Sequence, residues 1–161
     1  MDDSKHIVIS REHYEKLREE LEYKETTEKM KVAAQLEAAR ALGDLSENAE
    51  YDAAKNDQAN LEARITELHQ ILENAEIMDE EDISTDAVGF GSRVTIEYDD
   101  DPDDREEYVI VGTSESDPAN GRISNESPIG AALMGASVND RVEAHLPGGK
   151  NIWIRVVEIA R

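Results

Sequence analysis

The distribution of glycine and proline along the chain constrains the fold more than any other feature of the sequence. The first 88 residues contain no proline and a single glycine, Gly43, whereas the rest of the chain contains eight glycines and all four prolines. Both residue types interrupt regular structure, so a stretch almost free of them can form long continuous helices. The sequence therefore predicts a helical part over residues 1–79 and a turn-rich part over residues 80–161.

A repeat after Gly43 predicts a coiled coil. Side chains recur at alternating spacings of four and three residues, at Glu47, Tyr51, Ala54, Gln58, Leu61, Ile65, Leu68 and Leu72. This spacing forms an apolar seam against a partner helix, and here the seam becomes polar toward Glu47. One glycine between two amphipathic helices predicts the turn of an antiparallel helical hairpin.

The arm before Gly43 carries two apolar stripes. Tyr14, Leu17 and Leu21 form the first stripe, and Val32, Leu36 and Ala39 form the second. Eleven residues separate Leu21 from Val32, so we expect an under-wound stretch of helix between them. Ser10 is the expected N-cap of this arm, and the helix is expected to run to about Leu42.

The second part has the alternating pattern of β-strands. Apolar side chains alternate at Val94, Ile96 and Tyr98, at Val142, Ala144 and Leu146, and at Ile152, Ile154 and Val156. The last two groups flank a Pro-Gly-Gly turn at residues 147–149, which predicts a β-hairpin, and residues 108–111 predict a further strand. A proline near the start and Gly135 after the end predict a short helix over residues 128–134. The second part is therefore expected to be a small α+β domain.

The charge balance limits what the chain can bind on its own. It contains 38 acidic and 17 basic side chains, for a net charge of −21. Such a charge repels phosphate backbones, so we expect no autonomous binding to DNA or RNA. The sequence has no cysteine, no basic and apolar leader and no stretch long enough to span a membrane, which predicts a cytoplasmic protein without membrane attachment.

Two carboxylates near the expected hairpin turn are the candidate catalytic and metal-binding residues. Asp44 and Glu47 lie three residues apart, and carboxylate oxygens are ligands that Mg²⁺ prefers. The same spacing fits a capping box, in which Asp44 caps the following helix and Glu47 reaches back to the cap. Spacing alone leaves both interpretations open.

A longer string around these carboxylates resembles a known family. The sequence of residues 43–51, Gly-Asp-Leu-Ser-Glu-Asn-Ala-Glu-Tyr, is similar to the hairpin tip of the Gre transcript-cleavage factors of bacterial RNA polymerase. Arg40 and Lys55 stand where that family often has basic residues. The second part also resembles the family's C-terminal domain, in Ser127-Pro128-Ile129-Gly130, Ala132-Leu133, Gly135 and Pro147-Gly148-Gly149.

This resemblance implies a fold and a partner. The fold is an antiparallel coiled-coil hairpin with an acidic tip near residues 43–47, followed by an FKBP-like α+β domain. That domain would dock on bacterial RNA polymerase through the loop around Ser127 and Pro128, while the hairpin enters the secondary channel. Arg40 and Lys55 would contact the polymerase or the 3′ end of the nascent RNA.

In the mechanism that the resemblance implies, Asp44 and Glu47 supply ligands to the second Mg²⁺ of the polymerase active centre. Hydrolysis of the RNA backbone uses two metal ions to activate water and to stabilise the leaving oxygen. The polymerase would then cleave its own backtracked transcript. Because the metal belongs to the polymerase, the chain is not expected to bind Mg²⁺ stably or to be an enzyme by itself.

The chain departs from the family pattern at two positions. Ser46 replaces a lysine that is common there, and Asn139 replaces the glycine that usually precedes the aspartate matched by Asp140. We expect both replacements to be tolerated, with weaker contact to extruded RNA.

Other functions fit parts of the sequence less well. A Gre-like inhibitor would enter the same channel without promoting cleavage, and the intact Asp44 and Glu47 pair argues against it. A coiled-coil chaperone or prolyl isomerase would share the fold class, but a 4% aromatic content argues against an aromatic-lined proline pocket. The four histidines show no metal-ligand spacing. The acidic run at residues 99–104 lacks the spacing of an EF-hand and is expected to be a solvated turn.

Overall fold

The computed structural model describes residues 7–43 and 48–161, and these form two compact units. One unit contains residues 14–75, and the other contains residues 76–161 together with residues 7–13. The predicted domain boundary between residues 79 and 80 stays a prediction, while the packing of residues 7–13 with the second unit was not expected from the sequence.

Helices build the first unit. Its elements are α1 (Arg11–Tyr23), whose first three residues belong to the other unit, a π-helical stretch (Lys24–Glu28), α2 (Lys29–Arg40) and α3 (Ala49–Glu73). The end of α2 contacts the start of α3 across the connection of residues 41–48, and the two helices share a core further along, so they run antiparallel. No helix among the described residues is long and apolar enough to cross a membrane.

The core of the helical unit consists of the residues that the repeats predict. Its buried apolar side chains are Leu17, Leu21, Val32, Leu36 and Ala39 before the connection and Ala54, Leu61 and Leu68 after it. Tyr51 and Ile65 are half-buried and pack against this core, and Gln58 occupies the same stripe at intermediate exposure. The predicted seam is therefore confirmed from Tyr51 to Leu72.

The π-helical stretch Lys24–Glu28 lies between the two stripes of the first arm. A π-helix has more residues per turn than an α-helix, so this stretch is the under-wound segment that the eleven-residue spacing predicts. Leu21 before it and Val32 after it are both buried, at 9% and 7% exposure. The local change in winding keeps both stripes on the buried side of the arm.

A pair of short strands precedes and follows the helices. β1 (Ile7–Ser10) and β2 (Ala75–Met78) form a two-stranded sheet that was not predicted from the sequence. The predicted cap at Ser10 is confirmed, because its Oγ accepts from the backbone N–H of His13 at 3.2 Å. The same hydroxyl donates to the buried carboxylate of Glu115 at 2.6 Å, which also pairs with Arg122. These bonds tie residues 7–13 to the second unit.

A mixed sheet forms the centre of the second unit. Its strands are β3 (Arg93–Tyr98), β4 (Asp101–Val111), β5 (Arg122–Ser124), β6 (Arg141–His145) and β7 (Asn151–Ala160). Within the described chain the strand order is β5-β4-β3-β7-β6, in which β4 and β5 are parallel and the other neighbours antiparallel. The β6–β7 hairpin is confirmed, as is the short helix, α4 (Pro128–Leu133).

One apolar core holds the sheet and α4 together. Ile96 on β3, Ile110 on β4, Ile154 on β7 and Leu133 on α4 are each fully buried in it. The predicted fold class, a helical pair followed by an α+β domain, is therefore confirmed. One detail differs, because the acidic run is a turn only at residues 99 and 100: Asp101 pairs with Tyr98 of β3, and residues 102–104 form an irregularity before Arg105 pairs with Glu97.

The replacement of glycine at Asn139 is explained by the backbone. Asn139 has a φ of 74°, in the left-handed region that favours glycine. Asparagine is among the residues most often found there after glycine, because its short polar side chain can bond locally. The N–H of Asn139 donates to the carbonyl of Val156 at 2.8 Å, so the turn still supports β7.

The packing of α4 generates a test of the second unit. A Cβ at Gly130 would overlap the carbonyl oxygen of Ser124, whereas a Cβ at Gly89 would meet no atom within 4 Å. We expect Gly130→Ala to lower the free energy of unfolding by about 1–3 kcal/mol through overpacking. Gly89→Ala is the matched control and should change it little. Urea unfolding followed by the fluorescence of Trp153, the one tryptophan of the chain, measures both, and equal stability would contradict the packing of α4.

Candidate functional site

The candidate site is the connection between α2 and α3. Asp44 and Glu47, the predicted metal ligands, lie outside the described residues, so their geometry stays a prediction. The described residues on either side, 40–43 and 48–51, show how the two helix ends are held.

The end of α2 is a tight turn that depends on Gly43. The N–H of Leu42 donates to the carbonyl of Ala39 at 3.2 Å, and the N–H of Gly43 donates to that of Arg40 at 3.4 Å. Gly43 has a φ of 105°, which a side chain would disfavour. The chain therefore leaves the helix at its first glycine, as the sequence predicts.

The start of α3 is capped by Asn48. Its Oδ1 accepts from the backbone N–H of Tyr51 at 3.1 Å, and α3 begins at the next residue, Ala49. The interpretation that Asp44 is the N-cap of this helix is therefore wrong. An asparagine directly before a helix whose first turn carries Glu50 and Asp52 is a recognisable start signal, although Asn48 was not predicted as the cap.

Asn48 also reaches back to α2. Its Nδ2 donates to the carbonyl oxygen of Ala39 at 2.6 Å. One side chain thus gives the Ala39 carbonyl at the end of α2 a second donor, beside the N–H of Leu42, and gives a partner to a backbone N–H in the first turn of α3, where helices lack internal acceptors.

The two predicted basic contacts lie on the helices that flank the connection. Arg40 is the exposed last residue of α2, and Lys55 is exposed in the second turn of α3. The Lys55 Nζ lies 5.9 Å from the centroid of the Tyr51 ring, a cation–π arrangement. Tyr51 packs on the core of the helical unit, so this contact holds the stem of Lys55 near the start of α3.

The donor chemistry of the connection fits a divalent cation. Within residues 7–43 and 48–161, no group of three or more His, Cys, Asp or Glu side chains could hold a metal ion. Because both polar atoms of the Asn48 amide are engaged and Asn48 caps α3, Asp44 and Glu47 are not needed for that cap. Their carboxylates are hard oxygen donors of the kind that Mg²⁺ prefers.

The predicted docking loop lies at the start of α4. The Ser127 Oγ accepts from the N–H of Gly130 at 3.2 Å and donates to the carbonyl of Ser124 at 2.6 Å, so this hydroxyl is used within the unit. Pro128 is the exposed first residue of the helix. Its ring borders a shallow depression lined by Glu126, Pro128, Ala131, Ala132, Glu143 and His145.

Comparison with known proteins covers both parts of the chain. Residues 7–77 match the family model described as transcription elongation factor, N-terminal. Residues 83–161 match the model described as transcription elongation factor, GreA/GreB, C-terminal.

Individual relatives are similar over almost their whole length. The chain is 48% identical to the transcription elongation factor GreA of Thermoanaerobacter pseudethanolicus, over 98% of this chain and 99% of the relative. It is 45% identical to the GreA of Acetivibrio thermocellus, over all of both chains. Among solved structures, it aligns with Thermus aquaticus Gfh1 at 29% identity, over 97% of this chain and 99% of that one, with a TM-score of 0.44.

The two bonds of Asn48 generate a test of the cap assignment. Asn48→Ala removes an N-cap and the bond to Ala39, so we expect the free energy of unfolding to fall by about 1–2 kcal/mol. Asp44→Ala should change it by less than about 0.5 kcal/mol, because Asp44 does not cap α3. Thermal unfolding followed by far-UV circular dichroism compares the two variants. If Asp44→Ala lowered the free energy of unfolding as much as Asn48→Ala does, the capping-box interpretation would be supported instead.

Proposed function

The chain belongs to the GreA/GreB family of transcription elongation factors, and on that basis we propose that it binds RNA polymerase and stimulates cleavage of backtracked RNA. The observation that carries this proposal is the match of both parts of one chain, residues 7–77 and 83–161, to the two halves of the family. The activity belongs to the polymerase, and the factor is not an enzyme by itself. The proposed location is the cytoplasm, where bacterial transcription takes place.

Under this proposal the carboxylates of Asp44 and Glu47 complete a metal site in the polymerase active centre. Asp44 would be the main added ligand, and Glu47 would assist it or orient the attacking water. Mg²⁺ bound there would activate that water and stabilise the leaving oxygen of the RNA backbone. The factor itself would supply two negative charges, and the connection between α2 and α3 is the part of the chain that carries them.

The basic residues on either side have a separate proposed role. Arg40 and Lys55 would contact the polymerase or the RNA 3′ end, whose phosphates would otherwise be repelled by the acidic chain. With a net charge of −21, the protein gains little from long-range attraction to nucleic acid. Affinity is therefore proposed to come from protein contacts of the second unit.

The proposed docking contact is the exposed start of α4. The Ser127 hydroxyl is already hydrogen-bonded within the second unit. The surface proposed to contact the polymerase is therefore the Pro128 ring and the depression beside it. Proline presents a rigid apolar surface that loses little conformational entropy on binding.

Asp44→Asn tests metal ligation by the factor. Asparagine is a poorer, uncharged ligand for a hard cation, so we expect the rate of stimulated cleavage to fall by at least ~10-fold. Because Asn48 caps α3, melting should be unchanged, and raised Mg²⁺ should partly restore the rate. The assay adds full-length protein to a stalled, backtracked elongation complex and measures short 3′ RNA fragments.

The same assay separates the competing functions. Full cleavage by Asp44→Asn would contradict the proposed role of Asp44. Polymerase binding by the unsubstituted protein without any cleavage would instead indicate a Gre-like inhibitor.

Pro128→Glu tests the docking surface. Replacing the apolar Pro128 ring by a charged side chain beside Glu126 and Glu143 should raise the concentration that half-saturates cleavage by about 10-fold and leave the maximal rate unchanged. Pro118→Glu is the matched control, because Pro118 is also an exposed proline in the first turn of a short helix of the second unit. If both substitutions changed the half-saturating concentration equally, the docking site would not be at Pro128.

A further inference from the structure

We propose that Asn48 is a positioning residue for the cleavage reaction. Its side chain joins the end of α2 to the start of α3, and so fixes the two points between which Asp44 and Glu47 lie in the chain. This inference rests on the proposed function of those two carboxylates.

The two bonds of Asn48 end on parts of the unit that are themselves held in place. Ala39 is 2% exposed, and its carbonyl accepts from both Asn48 Nδ2 and the N–H of Leu42. The Tyr51 N–H on the other side belongs to a residue whose ring packs against the core formed by Val32, Leu36, Ala54 and Leu61. The bridge therefore connects two fixed points of the helical pair.

The chemistry of the bridge is specific to asparagine. Oδ1 must accept from a backbone N–H while Nδ2 donates to a backbone carbonyl, and an amide has one acceptor and one donor group at that distance from Cβ. Aspartate keeps the acceptor but has no donor when ionised. Serine caps a helix about as well as asparagine, but its one oxygen cannot span both helix ends.

The bridge should affect the rate of cleavage more than polymerase binding. The docking surface proposed above lies in the second unit, whereas Asn48 acts on the segment that carries the ligands. A displacement of about 1 Å in a reacting geometry can lower a rate by roughly 100-fold.

Asn48→Asp and Asn48→Ser test the proposal in the full-length protein. Both retain the cap and lose the bond to Ala39, so each should lower the maximal rate of stimulated cleavage by about 10-fold at saturating factor. The half-saturating concentration should not change. Melting should fall by less than it does in Asn48→Ala, because the cap remains.

Comparison among the variants separates positioning from stability. If Asn48 only stabilised the fold, the cleavage rates of the variants would rank in the same order as their melting temperatures. Asn48→Ala would then have a far lower cleavage rate than Asn48→Asp and Asn48→Ser. Positioning predicts similar losses of cleavage in all three. If Asn48→Asp alone lost activity, the added charge would be responsible, and the proposal would be overturned.

Asn74→Asp is the matched control. Asn74 lies at the other end of α3, and its Nδ2 donates to the carbonyl of Gln70 at 2.7 Å, so the substitution loses the same type of bond and adds the same charge. Its cleavage rate should equal that of the unsubstituted protein. An equal loss in Asn74→Asp would show that the effect is not specific to the connection.

Asp44→Asn in the same series separates this proposal from the proposed function. Loss of cleavage in Asp44→Asn with full activity in Asn48→Asp and Asn48→Ser would overturn the bridge and leave the function intact. Full activity in Asp44→Asn would overturn the role of the carboxylate on which the bridge depends.

Discussion

Burial of the apolar seam between α2 and α3 sets the geometry of everything at their connection. The 12 residues of α2 continue α1 and the π-helical stretch in one helical arm, and a helix in a protein gains most of its stability from tertiary packing rather than from intrinsic propensity. Val32 and Leu36 supply that packing with Ala54 and Leu61, and full burial of a valine or leucine side chain contributes about 1.5–3 kcal/mol. The 2.6 Å bond between Asn48 and Ala39 is possible only in the register that this core fixes.

The π-helical stretch lets apolar residues stay buried along the whole first arm. A heptad seam averages 3.5 residues per turn, whereas an eleven-residue spacing averages about 3.67, so the two cannot continue into each other without a local change in winding. The chain makes that change over Lys24–Glu28, where no residue is buried. Placing the irregular winding outside the core leaves Leu21 and Val32 buried on either side.

The parts of this structure that follow local patterns could be predicted, and the parts that depend on distant partners could not. Seam residues, the Ser10 cap, the β6–β7 hairpin and α4 are each encoded within a few residues of sequence. The strands β1 and β2 are short and pair across some 65 residues, and the bond from Ser10 to Glu115 spans 105 residues. No local pattern predicts such contacts.

At the candidate site, too, some features could be predicted from the sequence and others could not. Asp44 and Glu47 were identified by resemblance, since their spacing alone fits a cap as well as a metal ligand. The choice of cap depends on where α3 begins, and the structure assigns that place to Asn48. Its second bond, to Ala39, could not be predicted from spacing, because it requires the two helix ends to meet.

Under the proposed function, the charge of the chain explains why the affinity for polymerase should depend on the second unit and the rate of RNA cleavage on the helical unit. Carboxylates brought beside RNA phosphates are repelled by them, and a net charge of −21 adds to that cost at every approach. The carboxylates would therefore contribute little to binding and would act through Mg²⁺, whose positive charge would stabilise the negative charge that develops in the transition state. Metal ligands raise a rate most when they are already in place as the substrate arrives. Moving them into place during the reaction would cost free energy and so cancel part of the stabilisation that they provide. It follows that the hydrogen bonds of Asn48, which are modest contributions to folding, would weigh most heavily in the rate of cleavage.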